Sequence, residues 1–296
     1  AAGLIIYTDP IDSGYFKGLA YPEGPYYSES TIQRGSLLTE DFTGDPLTPY
    51  EPALPLDGMI KIKRKKPEDA QLHSIPVTPI GYGAAKEILR QMNGDVVPEG
   101  WQGGLPFTYR LQGGSDLKVF LEVNQPREFV RIQNVIGTVK GSLYPDEWVI
   151  LGCHLDAWGF GATDPSSGTA MLLSLSETLG KLVTEGKGPK RSILIGHWDA
   201  EEHGVIGSTE WVEQMREELK AKAVAYMNFD GAVSGKRFGA SSSPSLKELV
   251  LDTAKEVDYP YSEMSLYDTW RGDKEIPSIG NLGGGSDHIG FYMHVP

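Results

Sequence analysis

The rhythm of apolar and polar positions changes near residue 130. Before it, short apolar runs are cut by turn-forming pairs such as Asp9-Pro10, Gly44-Asp45-Pro46 and Thr48-Pro49, the pattern of loops and short strands. Gly3 to Tyr7 reads as a core strand. One helix interrupts this half: Ala84, Ala85, Ile88, Leu89 and Met92 recur at helical spacing until Asn93-Gly94 stops them. Its plain amphipathic pattern marks a packing helix.

After residue 130, strands alternate with helices. Residues 134–139, 148–152, 192–198 and 223–229 are β-rich, and 166–185, 205–222 and 245–257 carry helical patterns. This βαβα alternation predicts an α/β fold with a mixed, mainly parallel sheet flanked by helices. The chain of 296 residues therefore divides into a smaller β-rich domain, 1–127, and an α/β domain, 128–296. Two domains also suit a length prior of roughly 100–200 residues each.

Composition narrows the partners. Forty acidic against 27 basic residues give a net charge of -13. That balance excludes a nucleic-acid partner and disfavours an anionic membrane surface, because phosphate binding needs basic residues. The single cysteine, Cys153, rules out an internal disulfide framework and a Cys-x-x-Cys metal site. Any metal would use histidine and carboxylate. There is no apolar run of about 20 residues, and Ala1 to Tyr7 lacks a basic leader region. Opening on a strand and stopping at His294-Val295-Pro296 after an apolar run, the sequence is expected to be cut at both ends.

In open α/β sheets, ligands sit outside the carboxyl ends of the strands. His154, Asp156 and Asp164 follow one strand, Asp199, Glu201 and Glu202 follow the next, and Asp230 follows a third. Carboxylates converging on one crevice repel one another and need a compensating cation. Without a thiolate, the mixed N and O donors suit zinc, and a shared carboxylate can bridge two ions about 3.5–4 Å apart. Asp156 stands two residues from His154, where it can orient the imidazole. Taken alone, a His-x-Asp is more often a structural histidine with a polar partner. Adjacent Glu201 and Glu202 can divide labour, one reaching metal and the other water. Alone, such a pair is more often a solvated helix start. The Asp164-Pro165 bond is expected to be cis.

These residues resemble the zinc exopeptidases of the aminopeptidase clan, and closely the glutamate carboxypeptidase II and transferrin receptor family. In the first half, Gly3-Leu-Ile-Ile-Tyr-Thr-Asp-Pro10, Gln33-Arg-Gly35, Gly44-Asp-Pro-Leu-Thr-Pro49 and Ile75-Pro-Val-Thr-Pro-Ile-Gly-Tyr82 look like that family's protease-associated domain. In the second, Val149-Ile-Leu-Gly-Cys-His-Leu-Asp156, Trp198-Asp-Ala-Glu-Glu202, Gly207-Ser-Thr-Glu-Trp211 and Gly285-Ser-Asp287 look like its peptidase domain.

The resemblance implies two zinc ions: His154 and Asp230 on one, Glu202 on the other, Asp164 bridging, and Glu201 as the proton shuttle. A last histidine ligand is expected beyond residue 296, with His288 and His294 better suited to packing. The family also places a calcium ion between its domains, which on matching positions Thr48, Tyr50, Glu210 and Glu213 would hold. Its glutamate-preferring members grip an acidic side chain with arginines. Here one of these arginines would fall near Ala240, in an Ala-Ser-Ser-Ser stretch, and Ser36 and Ser286 stand where the family has asparagines at substrate-binding positions, so acidic selectivity does not carry over. The implied function is zinc-dependent exopeptidase action on a peptide, with a catalytically silent, transferrin-receptor-like binding protein as the alternative. A homodimer built through a C-terminal helical domain, and an extracellular ectodomain or a vacuolar or secretory lumen, complete the expectation. No Asn-x-Ser/Thr sequon is present to support glycosylation.

Overall fold

Six strands and eight helices are described in a computed structural model covering residues 1–37 and 39–295. They fall into two compact units, Ala1–Thr39 with Gln71–Val130, and Glu40–Ala70 with Arg131–Pro296. A single cut at residue 127 therefore does not separate them. The 40–70 stretch leaves the first half of the chain and packs with the second.

The first unit holds β1 (Leu4–Ile6), α1 (Pro10–Ser13), β2 (Val77–Pro79) and α2 (Tyr82–Leu89). β1 and β2 form a two-stranded parallel sheet. The unit is loop-rich, not β-rich: frequent Pro and Gly keep its other extended stretches from forming ladders, leaving isolated bridges such as Val96 with Arg110. Leu4 and Ile6 are exposed, so β1 is not the buried core strand its apolar run suggests. Asp9 organises this unit. Its carboxylate caps α1 through the Ile11 N–H at 3.0 Å, accepts the Gly104 N–H at 2.7 Å and takes the Tyr109 hydroxyl.

In the second unit, β3 (Val135–Val139), β4 (Tyr144–His154), β5 (Arg191–Trp198) and β6 (Ala223–Asn228) pair in the order β3-β5-β4-β6. β4 runs parallel to both neighbours and β3 antiparallel to β5, which is the mixed, mainly parallel sheet the pattern predicts. Alternation along the strands builds a core on each face. On one, Ile150, Leu194 and Trp198 pack with Val212, Leu219 and Phe291 from α4 (Ile206–Gln214), α5 (Arg216–Lys222) and α8 (His288–His294). On the other, Leu151, Cys153 and Ile195 meet Leu172 and Leu179 of α3 (Ser166–Thr184). Burying each such leucine contributes on the order of 1.5–3 kcal/mol.

The single helix expected over 205–222 is two, α4 and α5, broken at Met215. Helices α6 (Lys247–Glu256) and α7 (Leu266–Arg271) complete the unit. No helix among the described residues is long and apolar enough to cross a membrane.

Candidate metal centre

The register of the sheet aligns the site. His154, the last residue of β4, lies opposite Trp198, the last of β5, and Leu155 N–H closes onto the Trp198 carbonyl at 2.7 Å. β6 ends beside them, its Phe229 N–H donating to the Gly152 carbonyl at 2.9 Å. Side chains that follow three neighbouring strands thus emerge at one end of the sheet.

The imidazole of His154 is fully buried, and carboxylates converge on its Nε2: Asp164 Oδ1 at 3.0 Å, Asp230 Oδ1 at 3.1 Å and Glu201 Oε2 at 3.9 Å. Ligand atoms of His154, Asp164 and Glu202 all lie within 4.8 Å of one another. The two shortest separations suit neighbouring ligands about a small tetrahedral ion, whose edges are roughly 3.3 Å for bonds of about 2.05 Å. Burial pushes the His154 pKa down, but Asp156, Asp230 and Glu201 override it and hold it up to about 12. In the bare protein the imidazole itself becomes the cation this acidic pocket demands. The donor set therefore fits a divalent metal.

The other groups respond to the same crowding. Burial first, then the charges of Asp287, Asp230 and Glu202, raise Glu201 to about 8. Glu202 and Asp164 are also raised, chiefly by burial. Asp230 is held low, because hydrogen bonds from His154 and Ser286 outweigh its burial.

Glu201 is 9% exposed and sits in a tight turn between β5 and α4. Ala200 and Val205 take left-handed conformations, φ 58° and 55°, and the Gly204 and Val205 N–H groups close onto the Glu201 carbonyl at 3.0 and 2.7 Å. A β-branched residue there is strained, so the turn needs external anchors. Asn134 supplies one, accepting the Asp199 N–H at 3.0 Å and donating to the Gly207 carbonyl at 2.7 Å. Asp156 supplies the other, accepting the N–H groups of Glu201 and Glu202. Asp156 also lies 3.6 Å from His154 Nδ1, but that nitrogen's hydrogen-bond partner is the Asp156 backbone carbonyl at 2.8 Å. The predicted orienting role is thus shared between its main chain and its carboxylate.

The loop after His154 runs along the same end of the sheet. The Trp158 N–H donates to Glu202 Oε1 at 3.2 Å, and its ring meets that of His203 at a 60° tilt with centroids 5.1 Å apart. The Asp164-Pro165 bond is cis, as expected.

The residues matched to calcium are Thr48, Tyr50, Glu210 and Glu213. All four belong to one compact unit, since Thr48 and Tyr50 lie in the 40–70 stretch and not in the first unit. Glu210 accepts backbone N–H groups from Asp45, at 2.6 Å, and from Ala53. Thr48 Oγ1 and Glu213 Oε2 are buried without a hydrogen-bond partner. Burial and the Glu210 charge raise Glu213 to about 8, and burial raises Glu210 to about 7. Tyr50 adopts φ 66° and its carbonyl accepts the Arg216 guanidinium at 2.8 Å. Orphaned, buried oxygens are what a hard cation would satisfy.

Other predicted positions behave differently. His288 bonds the Gly283 carbonyl at 2.7 Å, and His294 stands 3.5 Å from Glu213. Ser36 is exposed in the first unit. Ser286 is buried, and its hydroxyl donates to Asp230 Oδ2 at 2.6 Å. Sequence reasoning gave Asn134 no role, although Asn134-Val-Ile-Gly-Thr138 resembles the family's peptidase domain. It also gave no role to Asp287, quoted only within a motif, which is fully buried beside the site and raised by burial to about 7.

Over 98% of its length the chain is 38% identical to "Aminopeptidase NAALADL1" of Rattus norvegicus, covering 41% of that protein. Over its full length it is 39% identical to "Probable glutamate carboxypeptidase LAMP1" of Arabidopsis thaliana, covering 42%. The chain thus spans about two fifths of the length of these curated relatives. Among solved structures, BSAP, a zinc aminopeptidase from Bacillus subtilis, aligns with 54% of this chain and 37% of its own, at TM-score 0.41 and 23% identity. The profile of peptidase family M28 matches residues 134–293, the stretch from β3 into α8 that carries every residue of the His154 cluster, and the chain belongs to that family.

Proposed function

We propose that the chain carries the metal-binding and proton-transfer groups of a zinc-dependent exopeptidase that hydrolyses a peptide bond near a chain terminus. The observation behind this reading is the approach of Asp164 and Asp230 to within 3.0 and 3.1 Å of the buried His154 Nε2, with Glu202 and the buried Glu201 alongside. His154 and Asp230 would hold one zinc ion and Glu202 a second, with Asp164 between them. When bound, such ions supply Lewis acidity, polarising the scissile carbonyl and acidifying water.

The chain's own residues do the rest. Glu201, not assigned to metal, takes a proton from the attacking water and delivers it to the leaving amine. In the bare protein its burial raises its proton affinity above that of a free glutamate. Asp156 and Asn134 hold the turn that presents it. The names of the relatives divide between aminopeptidase and carboxypeptidase, so the terminus attacked is left open, and Ala240 argues against an acidic-side-chain requirement.

A structural calcium ion at Thr48, Tyr50, Glu210 and Glu213 belongs to the same reading, supported by the orphaned oxygens there. So do a protease-associated character for the first unit, a homodimeric parent protein and an extracellular or lumenal setting. Metal analysis after dialysis, paired with a peptide-library cleavage assay on the parent protein, tests the function. Retained zinc with terminal cleavage supports it. No zinc and no cleavage would favour the silent binding protein.

A further inference from the structure

A chain of hydrogen bonds runs from the hydrophobic core to the metal cluster. Trp198 Nε1 donates to Tyr226 Oη at 3.1 Å, and Tyr226 Oη donates to Asn228 Oδ1 at 2.8 Å. Asn228 Nδ2 donates to Ser286 Oγ at 2.8 Å, and Ser286 Oγ donates to Asp230 Oδ2 at 2.6 Å. The other oxygen of Asp230 faces His154 Nε2 at 3.1 Å.

The polarity of this chain has one solution. An indole N–H can only donate, so the Tyr226 hydroxyl, accepting from it, passes its own hydrogen on. The Asn228 carbonyl oxygen must then face Tyr226, which turns the amide NH2 toward Ser286. Ser286, accepting from that amide, has its single hydrogen left for Asp230. Five groups are thus ordered by one obligate donor, and the last bond is charge-assisted and short.

The sheet is built to admit this arrangement. Gly152 on β4 leaves the space it occupies: a Cβ there would stand 2.3 Å from Tyr226 Oη and 2.4 Å from Trp198 Nε1. A glycine inside a central strand weakens packing and marks close approach by a neighbouring group. Trp198 is fully buried, and the Tyr226 ring stacks on Phe291 with centroids 3.8 Å apart and planes at 14°. The far end of the chain is therefore anchored in packed aromatic side chains, while the near end touches an acid of the site.

We infer that Trp198, Tyr226, Asn228 and Ser286 are positioning residues forming a one-way hydrogen-bond relay that orients the Asp230 carboxylate as a cation ligand. This rests on the proposed metal role of Asp230. It gives Ser286 a role different from the substrate contact expected from its sequence position, because both its donor and an acceptor site are committed within the relay.

The test is zinc affinity, measured by competition with a chromophoric chelator, alongside the melting temperature of the zinc-free chain. Ser286→Ala should weaken zinc binding by about 10- to 100-fold, the usual range for losing such a partner, and Ser286→Thr should restore most of it. Tyr226→Phe, which keeps the ring on Phe291 and removes only the hydroxyl, should weaken binding by a smaller factor. Asn228→Asp separates the relay from simple charge. An added carboxylate near a cation should tighten binding, whereas the relay requires weakening, because the Ser286 hydrogen would be drawn away from Asp230. Unchanged affinity in Ser286→Ala, or tighter zinc in Asn228→Asp, overturns the relay while leaving the metal reading intact. Absence of zinc binding by the unaltered chain overturns the metal reading and the relay with it.

Discussion

The carboxylate of Asp156 holds the backbone of Glu201: Oδ1 accepts the Glu201 N–H at 2.9 Å, and Oδ2 accepts that of Glu202 at 3.2 Å. One side chain thus fixes the backbone of both the proposed proton-transfer group and its proposed metal-binding neighbour. Asp156→Asn would turn an NH2 toward one of those N–H groups and misplace the turn. A fall in kcat/KM of about 10- to 100-fold is expected, with folding retained. Peptide turnover together with circular dichroism checks it, and unchanged turnover would remove Asp156 from the machinery.

Glu201→Gln keeps the shape of the turn but cannot take a proton. Turnover in the active protein should drop by about 10²- to 10⁴-fold, the range for losing a general base, while zinc content stays the same. Near-normal turnover with zinc bound would mean that another group carries the proton.

Without metal, the buried acids make stability depend on pH. Glu201 and Glu213 are raised to about 8, and Glu210 and Asp287 to about 7. In the unfolded chain such groups ionise near pH ~4. Between those values the folded state binds more protons than the unfolded, so unfolding free energy falls as pH rises. His154, raised to about 12, acts in the same direction above its unfolded value of about 6.5. The urea midpoint in chelator should therefore be higher at pH 5 than at pH 8. Divalent cations, binding the folded state, should recover stability most at the higher pH. A midpoint that rises from pH 5 to 8 in chelator would contradict the burial of these groups.

Glu213 carries a buried carboxylate oxygen without a partner. Glu213→Gln removes its charge, so the calcium-free chain at pH 8 should melt higher than the unaltered one. Millimolar calcium should raise the melting temperature of the unaltered chain, and the same substitution should abolish that rise. Thermal melts with and without calcium distinguish this from a general surface effect, since zinc should still stabilise both.

The parts of this molecule that were legible in the sequence share a physical basis. β4, β5 and β6 announce themselves as apolar runs, and acids placed just after them must gather at one end of a parallel sheet. That is why the pattern alone groups His154, Asp164, Glu202 and Asp230. What was hidden depends on contacts between distant segments. The hydroxyl of Ser286 meets Asp230, 56 positions away, and Asn134 clamps a turn 65 positions on. Neither leaves a periodic trace. The 40–70 stretch reads locally like its neighbours in the first half, yet the Glu210 carboxylate draws its backbone into the second unit. The break at Met215 carries no Gly or Pro to advertise it.

The left-handed residue just before Glu201 has a practical meaning. At Ala200, φ 58°, glycine would sit without the steric penalty that a Cβ incurs, so mutants chosen for surviving heat would be expected to accumulate there. Those same mutants would surrender the stiffness that aims the acid. Selection for durability and selection for turnover pull this single position in opposite directions.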